Sequence, residues 1–135
     1  MWTTPRTAFR CSNEVRFVNV PVVSNPYYKC KRCGSDDLSQ AAELCTDASP
    51  RSDDDVRWKR CVPCGARYIV DVTQYVNIGF DGDHSTNSGH LCEPAEWDRT
   101  LALARRCPRP NDAKCTCPAH KTRPVIGESA WYWSF

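Results

Sequence analysis

Two short segments of this 135-residue chain have a spacing that is typical of metal ligands. Residues Cys30–Gly34 and Cys61–Gly65 both read Cys-x-x-Cys-Gly. Each segment places two thiols on one tight turn, and glycine suits the positive φ on which such a turn ends. One such turn supplies half of a tetrahedral zinc shell, with Zn–S bonds of about 2.3 Å. Together they predict a zinc site whose ligands are Cys30, Cys33, Cys61 and Cys64.

Paired cysteines have two other common uses, a redox pair and a disulfide framework. A thioredoxin-type redox pair needs one Cys-x-x-Cys in a βαβ context, and no such context is found in this sequence. A disulfide framework needs an oxidising compartment and usually a secretory signal, whereas the first residues, Met1–Arg6, contain no apolar stretch. We therefore expect a reducing, cytoplasmic location. No apolar run is long enough to span a bilayer, so no membrane association is expected.

A second set of possible ligands lies towards the C-terminus, and the predicted helix Pro94–Arg106 divides it. The ends of that helix would be about 20 Å apart, so Cys92 before it and Cys107 after it cannot share one ion. The ligands that remain close together form a Cys₃His shell, the second predicted zinc site, made of Cys107, Cys115, Cys117 and His120.

The other cysteines and histidines leave alternatives open. His90 and Cys92 could form a further half-site, completed by Cys11, Cys45 or His84. For Cys11 and Cys45 the simpler interpretation is a small buried side chain, as free cysteines often are.

Strands and turns must position these ligands. Residues 15–23 predict a strand that Pro21 confines to an edge or end, and residues 38–44 predict a short helix or strand. The acidic run 47–55 predicts a solvated loop, and Val56 and Trp58 a short strand that enters the second turn. From Tyr68 to Phe80 apolar residues alternate with polar ones, which predicts the clearest strand.

The C-terminal part has one clear helical pattern. Residues 81–91 predict a polar loop, after which Pro94 suits the first helical position and Trp97, Leu101 and Ala104 form an inward stripe. The aromatic tail 131–135 favours a last strand that covers the core, although bases or a partner pocket could also receive it. The predicted fold is a small α+β, metal-stabilised unit: an antiparallel zinc ribbon, one helix and a Cys/His-rich loop. Its two parts, 1–80 and 81–135, are expected to form one compact unit.

The charge pattern indicates a binding surface more than a catalytic one. The net charge is only +2, but basic residues flank both turns. They could contact phosphates while Trp58 stacks on a base, which predicts a nucleic-acid interface of Lys29, Lys31, Arg32, Arg57, Trp58, Lys59 and Arg60. These cations could instead offset the −2 charge of a four-thiolate zinc centre.

Catalysis is not expected, since a shell of four cysteines leaves no open position on the metal. His84, Asn87 and His90 invite comparison with zinc-dependent His-Asn-His nucleases, but here all three lie in one short segment. No small-molecule substrate is expected either.

Residues 27–80 resemble the zinc-ribbon superfamily of transcription factors, RNA polymerase subunits and ribosomal proteins. The matching residues are Cys30, Cys33, Gly34, Cys61, Cys64 and Gly65. The resemblance implies a three-stranded antiparallel unit on one structural zinc that binds nucleic acid or protein. We therefore predict a nucleic-acid-binding or transcription-related module. The alternative is a protein–protein adaptor, such as an immunity, inhibitory or virion-assembly protein.

Overall fold

The computed structural model describes residues 29–50, 52–75 and 84–134. They form a five-stranded antiparallel sheet in which the strands lie in chain order. The α+β class is confirmed. The elements are β1 (Leu38–Ala48), β2 (Ser52–Cys61), β3 (Arg67–Tyr75), β4 (His84–Leu91), α1 (Pro94–Arg105), α2 (Pro118–Lys121) and β5 (Ser129–Ser134).

Helix α1 lies on one face of the sheet, as its apolar stripe predicts. Two buried indole N–H groups fix it there: Trp58 Nε1 donates to Thr100 Oγ1 at 3.0 Å, and Trp97 Nε1 donates to the Tyr68 carbonyl at 3.0 Å. A buried N–H without a partner would be costly, so these two bonds define how the helix docks. The core on this face contains Leu44, Val56, Trp58, Ile69, Cys92, Trp97, Leu101, Ala104 and Ala119.

The opposite face of the sheet carries a second core, which contains the buried cysteines of the first cluster. The predicted alternation in β3 is confirmed, because Tyr68, Val70 and Val72 all belong to this core while Ile69 belongs to the helix face. Residues 76–80, the rest of the predicted strand, lie outside the described residues. The second core consists of Cys30, Cys61, Ala66, Tyr68, Val70, Val72 and Trp131.

The polar segment predicted as a loop over 81–91 is in fact a strand from His84 to Leu91. This prediction was wrong because the buried positions of β4 are not apolar. Asn87 is 2 % exposed and accepts a hydrogen bond from Trp131 Nε1 at 2.8 Å. A Cβ on Gly89 would overlap the same indole, so only glycine leaves room for it.

The acidic run 47–55 is not a loop throughout, because β2 begins at Ser52. Asp53 and Asp55 are 5 % and 7 % exposed. Asp55 accepts two hydrogen bonds from Arg57, at 2.9 and 3.2 Å, which explains how a carboxylate tolerates burial. The acidic residues therefore predicted an exposed loop at positions where the chain forms a strand with a buried ion pair.

The remaining elements follow the pattern of the sequence. The segment at 38–44 is a strand, the first part of β1, and the aromatic tail returns as β5 with Trp131 buried. The predicted strand 15–23, Cys11 and Phe135 lie outside the described residues. In the described parts of the chain, no helix has the length and apolar character needed to cross a membrane.

Candidate metal centres

The two Cys-x-x-Cys-Gly segments form turns with the same hydrogen bonds. In the first, the Cys30 N–H donates to the Ser35 carbonyl at 2.8 Å and the Gly34 N–H donates to the Cys30 carbonyl at 2.9 Å. The turn that begins at Cys61 repeats both bonds at the same two distances. Gly34 and Gly65 have φ of 78° and 80°, the left-handed conformation that the motif predicts.

Pairing of β1 with β2 brings the two turns together. Leu38 at the start of β1 pairs with Cys61 at the end of β2. The Val62 N–H donates to the Asp37 carbonyl at 2.9 Å, which links the second turn to the residue before β1. Both turns therefore lie at the same end of the sheet.

The four sulfur atoms of these turns form one cluster, as predicted. Cys30 Sγ lies 3.5 Å from Cys64 Sγ, Cys33 Sγ lies 3.5 Å from Cys61 Sγ, and all four atoms are within 4.8 Å of one another. A tetrahedron of Zn–S bonds has sulfur–sulfur edges of about 3.8 Å. The ligand set and its spacing therefore fit one zinc ion.

Tyr68 supports the first cluster from the following strand. Its hydroxyl donates to Cys30 Sγ at 3.1 Å and accepts the Lys31 N–H at 2.8 Å. Such bonds from outside the shell orient a ligand and stabilise its thiolate. This role of Tyr68 was not predicted. The available signal was a tyrosine three residues after Gly65, on the strand face that also carries the cysteines.

Burial and hydrogen bonding act in opposite directions on these thiols. Burial disfavours the charged form of Cys30, but hydrogen bonds from Tyr68 and from nearby backbone N–H groups lower its pKa to about 6. At Cys61 burial dominates and raises the pKa to about 12. A metal ion must displace the proton of the Cys61 thiol, so metal binding at this cluster is linked to proton release.

The second predicted cluster is also assembled. Cys107 Sγ lies 3.7 Å from Cys115 Sγ, and His120 Nδ1 lies 3.4 Å from both Cys107 Sγ and Cys117 Sγ. All four ligand atoms are within 4.8 Å of one another. Cys107 follows the end of α1, while Cys117 precedes α2 and His120 belongs to it. A Cys₃His set of this size fits a tetrahedral zinc ion.

Strand β1 determines which nitrogen of His120 faces the thiols. His120 Nε2 lies 2.9 Å from the Cys45 carbonyl, which can only accept, so Nε2 carries the proton and Nδ1 is left to bind a metal. The Cys45 N–H donates to the Pro110 carbonyl at 2.8 Å. This connection to the sheet was not predicted, since spacing along the chain carries no information on it.

Electrostatics at the second cluster resemble those at the first. Burial raises the pKa of Cys107 to about 12. A hydrogen bond from the Cys117 backbone lowers the pKa of Cys115. The pKa shifts of Cys107 and Cys115 therefore have opposite directions, as those of Cys61 and Cys30 do.

Four described residues whose roles were left open do not join either cluster: Cys45, His84, His90 and Cys92. Cys92 is buried, its thiol lies 3.5 Å from the Val125 carbonyl, and burial raises its pKa to about 11. Cys45 is buried as expected, but it is disulfide-bonded and is not a free thiol. Cys92, His84 and His90 are absent from the metal-ligating groups of the described residues.

Several residues of the predicted nucleic-acid interface are engaged inside the protein. The Trp58 ring is 2 % exposed and belongs to the helix-face core. Arg57 pairs with Asp55, and burial lowers the pKa of Lys59 to about 8. Trp58 is therefore not free to stack on a base, and the Arg57 guanidinium is already engaged with a carboxylate.

The rest of that predicted set lies at the surface. Lys31 Nζ pairs with Glu128 at 3.1 Å and donates to the Ser129 carbonyl at 3.0 Å. Lys29, Arg32 and Arg60 are exposed. The exposed basic surface is therefore smaller than the sequence predicts.

Comparison of this chain with protein-family models, with curated proteins and with solved structures finds no match. Its function is therefore inferred from the two clusters and from the surfaces that they hold in place.

Proposed function

We propose that this protein is a non-enzymatic, zinc-binding module that binds nucleic acid. The observation that carries the proposal is the presence of two clusters with four ligands each, on one sheet. Four protein ligands fill a tetrahedral shell, and a filled shell has no position for a substrate or an activated water. The metal ions would therefore stabilise the fold and would not take part in catalysis.

The two zinc ions would bind towards opposite ends of the hairpin formed by β1 and β2. One cluster lies at Leu38 and the other at Cys45, seven residues further along β1. At about 3.3 Å per residue this separates the two sites by roughly 23 Å. The first cluster, with β1, β2 and β3, would form a zinc ribbon to which β4, β5 and α1 are added.

Zinc fits these ligands better than harder cations, which prefer oxygen. Seven thiolates around two divalent ions change the formal net charge from +2 to −1. Attraction to phosphates must then come from local basic residues and not from the whole molecule. Lys29, Arg32 and Arg60 supply such a local charge, because they are exposed.

Salt-dependent binding to single-stranded DNA or RNA of mixed sequence tests whether nucleic acid is the target. Three phosphate contacts predict that affinity falls about 20-fold when salt rises from about 50 to about 200 mM. A Lys29→Gln, Arg32→Gln double variant should reduce that slope, whereas Lys121→Gln, another exposed lysine, should leave it unchanged. Binding that does not respond to salt, or no binding at low salt, would exclude this target.

A protein partner is the second candidate, and exposed apolar side chains favour it. Val125, Ile126 and Tyr132 are 71, 42 and 66 % exposed. A partner recovered from the natural source with the wild-type chain, but not with an Ile126→Ser, Tyr132→Ser variant of unchanged zinc content, would support an adaptor role. Recovery of the same partner with both chains would exclude this surface.

A reducing intracellular compartment is part of the proposal, because only reduced thiols bind zinc. The Cys45 disulfide is the feature that favours an oxidising environment instead. The zinc content of chain isolated from its natural compartment distinguishes the two.

A further inference from the structure

A cleft of about 360 Å³ lies between the first part of β1 and the last part of α1. Along this part of β1 the pairing with β2 shifts between Gln40 and Ala42, so that one residue is inserted into the strand. Bulges of this kind bend a strand and often lie beside binding sites. Trp97, Leu101 and Arg105, each four residues apart, form the helical wall.

Two arginines line this cleft from different elements. Arg60 comes from β2 and Arg105 from the last turn of α1, and both are exposed. Within the described residues neither of them takes part in an ion pair. The arginines that do pair with carboxylates there are Arg57, Arg67, Arg99, Arg109 and Arg123.

The other accessible lining groups are mostly polar. The Ser39 hydroxyl and the Gln40 amide are exposed and provide neutral hydrogen-bonding groups, whereas Trp97 and Leu101 are only 5 % and 8 % exposed. The Gln40 amide already donates to Glu43 Oε1 at 3.1 Å, so an acidic group lies near this edge. That carboxylate disfavours an anion spread over the whole cleft and favours one whose charge is concentrated between the arginines.

Guanidinium groups bind phosphate through paired hydrogen bonds, and a volume of this size is at the small end of ligand sites. We propose that the cleft binds one nucleotide, with its phosphate between Arg60 and Arg105 and its sugar and base along the exposed Ser39 and Gln40. The inference rests on the proposed nucleic-acid function and identifies where one nucleotide of a bound nucleic-acid strand would lie. It adds Arg105 to the residues that the sequence indicated.

Titration of the zinc-loaded chain with 5′-AMP, inorganic phosphate, a single-stranded decanucleotide and an Asp-rich peptide tests the proposal. Backbone amide shifts and calorimetry give the position and affinity of each. The variants are Arg60→Gln and Arg105→Gln. Arg106→Gln is the matched control, because Arg106 is the exposed next residue and does not line the cleft.

We expect 5′-AMP to shift the amides of residues 39–41 and 97–105, and to bind more tightly than inorganic phosphate. Each cleft variant should weaken 5′-AMP about tenfold, and should lower the salt slope of the decanucleotide by about 0.7, while the control keeps wild-type values. Tighter binding of the decanucleotide than of 5′-AMP would identify a strand as the source. Equal binding of both would identify a free nucleotide.

Three results would overturn the proposal. They are equal losses in the control and the cleft variants, equal affinity for inorganic phosphate and 5′-AMP, and preferential binding of the Asp-rich peptide. If the decanucleotide binds with an unchanged salt slope in both cleft variants, the cleft assignment fails while the proposed function stands. If the wild-type chain binds no decanucleotide at low salt, the proposed function fails as well.

Discussion

Tyr68 connects the first metal cluster with the core of the sheet. Its hydroxyl bonds to Cys30 Sγ and to the Lys31 N–H, and its ring lies 5.1 Å from that of Trp131. A single phenol thus contacts a metal ligand, the first turn and the C-terminal strand. Removing the Tyr68 hydroxyl eliminates the hydrogen bond to the metal ligand but keeps the packing of the ring, so the two roles can be measured separately.

We expect Tyr68→Phe to weaken zinc at the first cluster 10- to 100-fold, because Cys30 loses a hydrogen bond that favours its thiolate. Competition with a chromophoric chelator measures this, and only one of the two zinc ions should be released earlier. Tyr132→Phe removes an exposed hydroxyl and serves as the control. Equal affinities in Tyr68→Phe and wild type would show that the hydroxyl has no role.

Asp55 gives a second prediction at this scale. Burial raises its pKa to about 6, against the opposing effect of the Arg57 guanidinium. Because the folded state then binds this proton more tightly than the unfolded state, the contribution of Asp55 to stability is largest below pH 4 and is lost as pH rises to about 6. Carbon-13 titration of the Asp55 carboxyl should give a pKa near 6, and Arg57→Gln should raise it further. An Asp55 pKa near 4 would contradict the burial seen here.

At the scale of elements, some strands and the helix are predictable and others are not. The stripe of Trp97, Leu101 and Ala104 predicted α1 almost to the residue, because a helix with one buried face shows its period in the sequence. Strand β4 was missed because its buried positions are Asn87 and Gly89, which satisfy Trp131 and make room for it. The reason for Asn87 and Gly89 at these positions is their contact with Trp131 of β5, which local sequence does not reveal.

The contact between Gly89 and Trp131 predicts how β5 is held. Gly89→Ala would force the Trp131 indole away from β4, so we expect a loss of about 1–3 kcal/mol in the free energy of unfolding. Denaturant unfolding of the zinc-loaded chain measures this, and amide exchange should rise first over residues 129–134. Ser88→Ala, the neighbouring position of β4, is the control. An unchanged midpoint in Gly89→Ala would contradict the packing described here.

At the scale of the molecule, the ligand sets of both candidate metal clusters were predicted, whereas the bond that connects the second cluster to β1 was not. Two Cys-x-x-Cys turns and a short Cys/His-rich loop restrict ligand geometry locally, so residue type and spacing are sufficient to find them. The bond from His120 to the Cys45 carbonyl joins residues 75 positions apart. Only the folded sheet brings those two residues together.

The connection between clusters and sheet predicts that the second metal also protects an edge of the sheet. His120→Ala removes a ligand and the bond to Cys45, so we expect one zinc ion per chain and faster amide exchange around residue 45. The exposed neighbour Lys121 provides the control, Lys121→Ala. Retention of two zinc ions in His120→Ala would show that this histidine is not a ligand.

Zinc stoichiometry by native mass spectrometry tests whether both clusters are structural zinc sites. We expect two zinc ions per chain, one in Cys117→Ser and one in Cys64→Ser, with loss of ordered amide signals when a strong chelator removes both. A chain that carries no zinc and keeps its ordered amide signals in chelator would contradict this expectation.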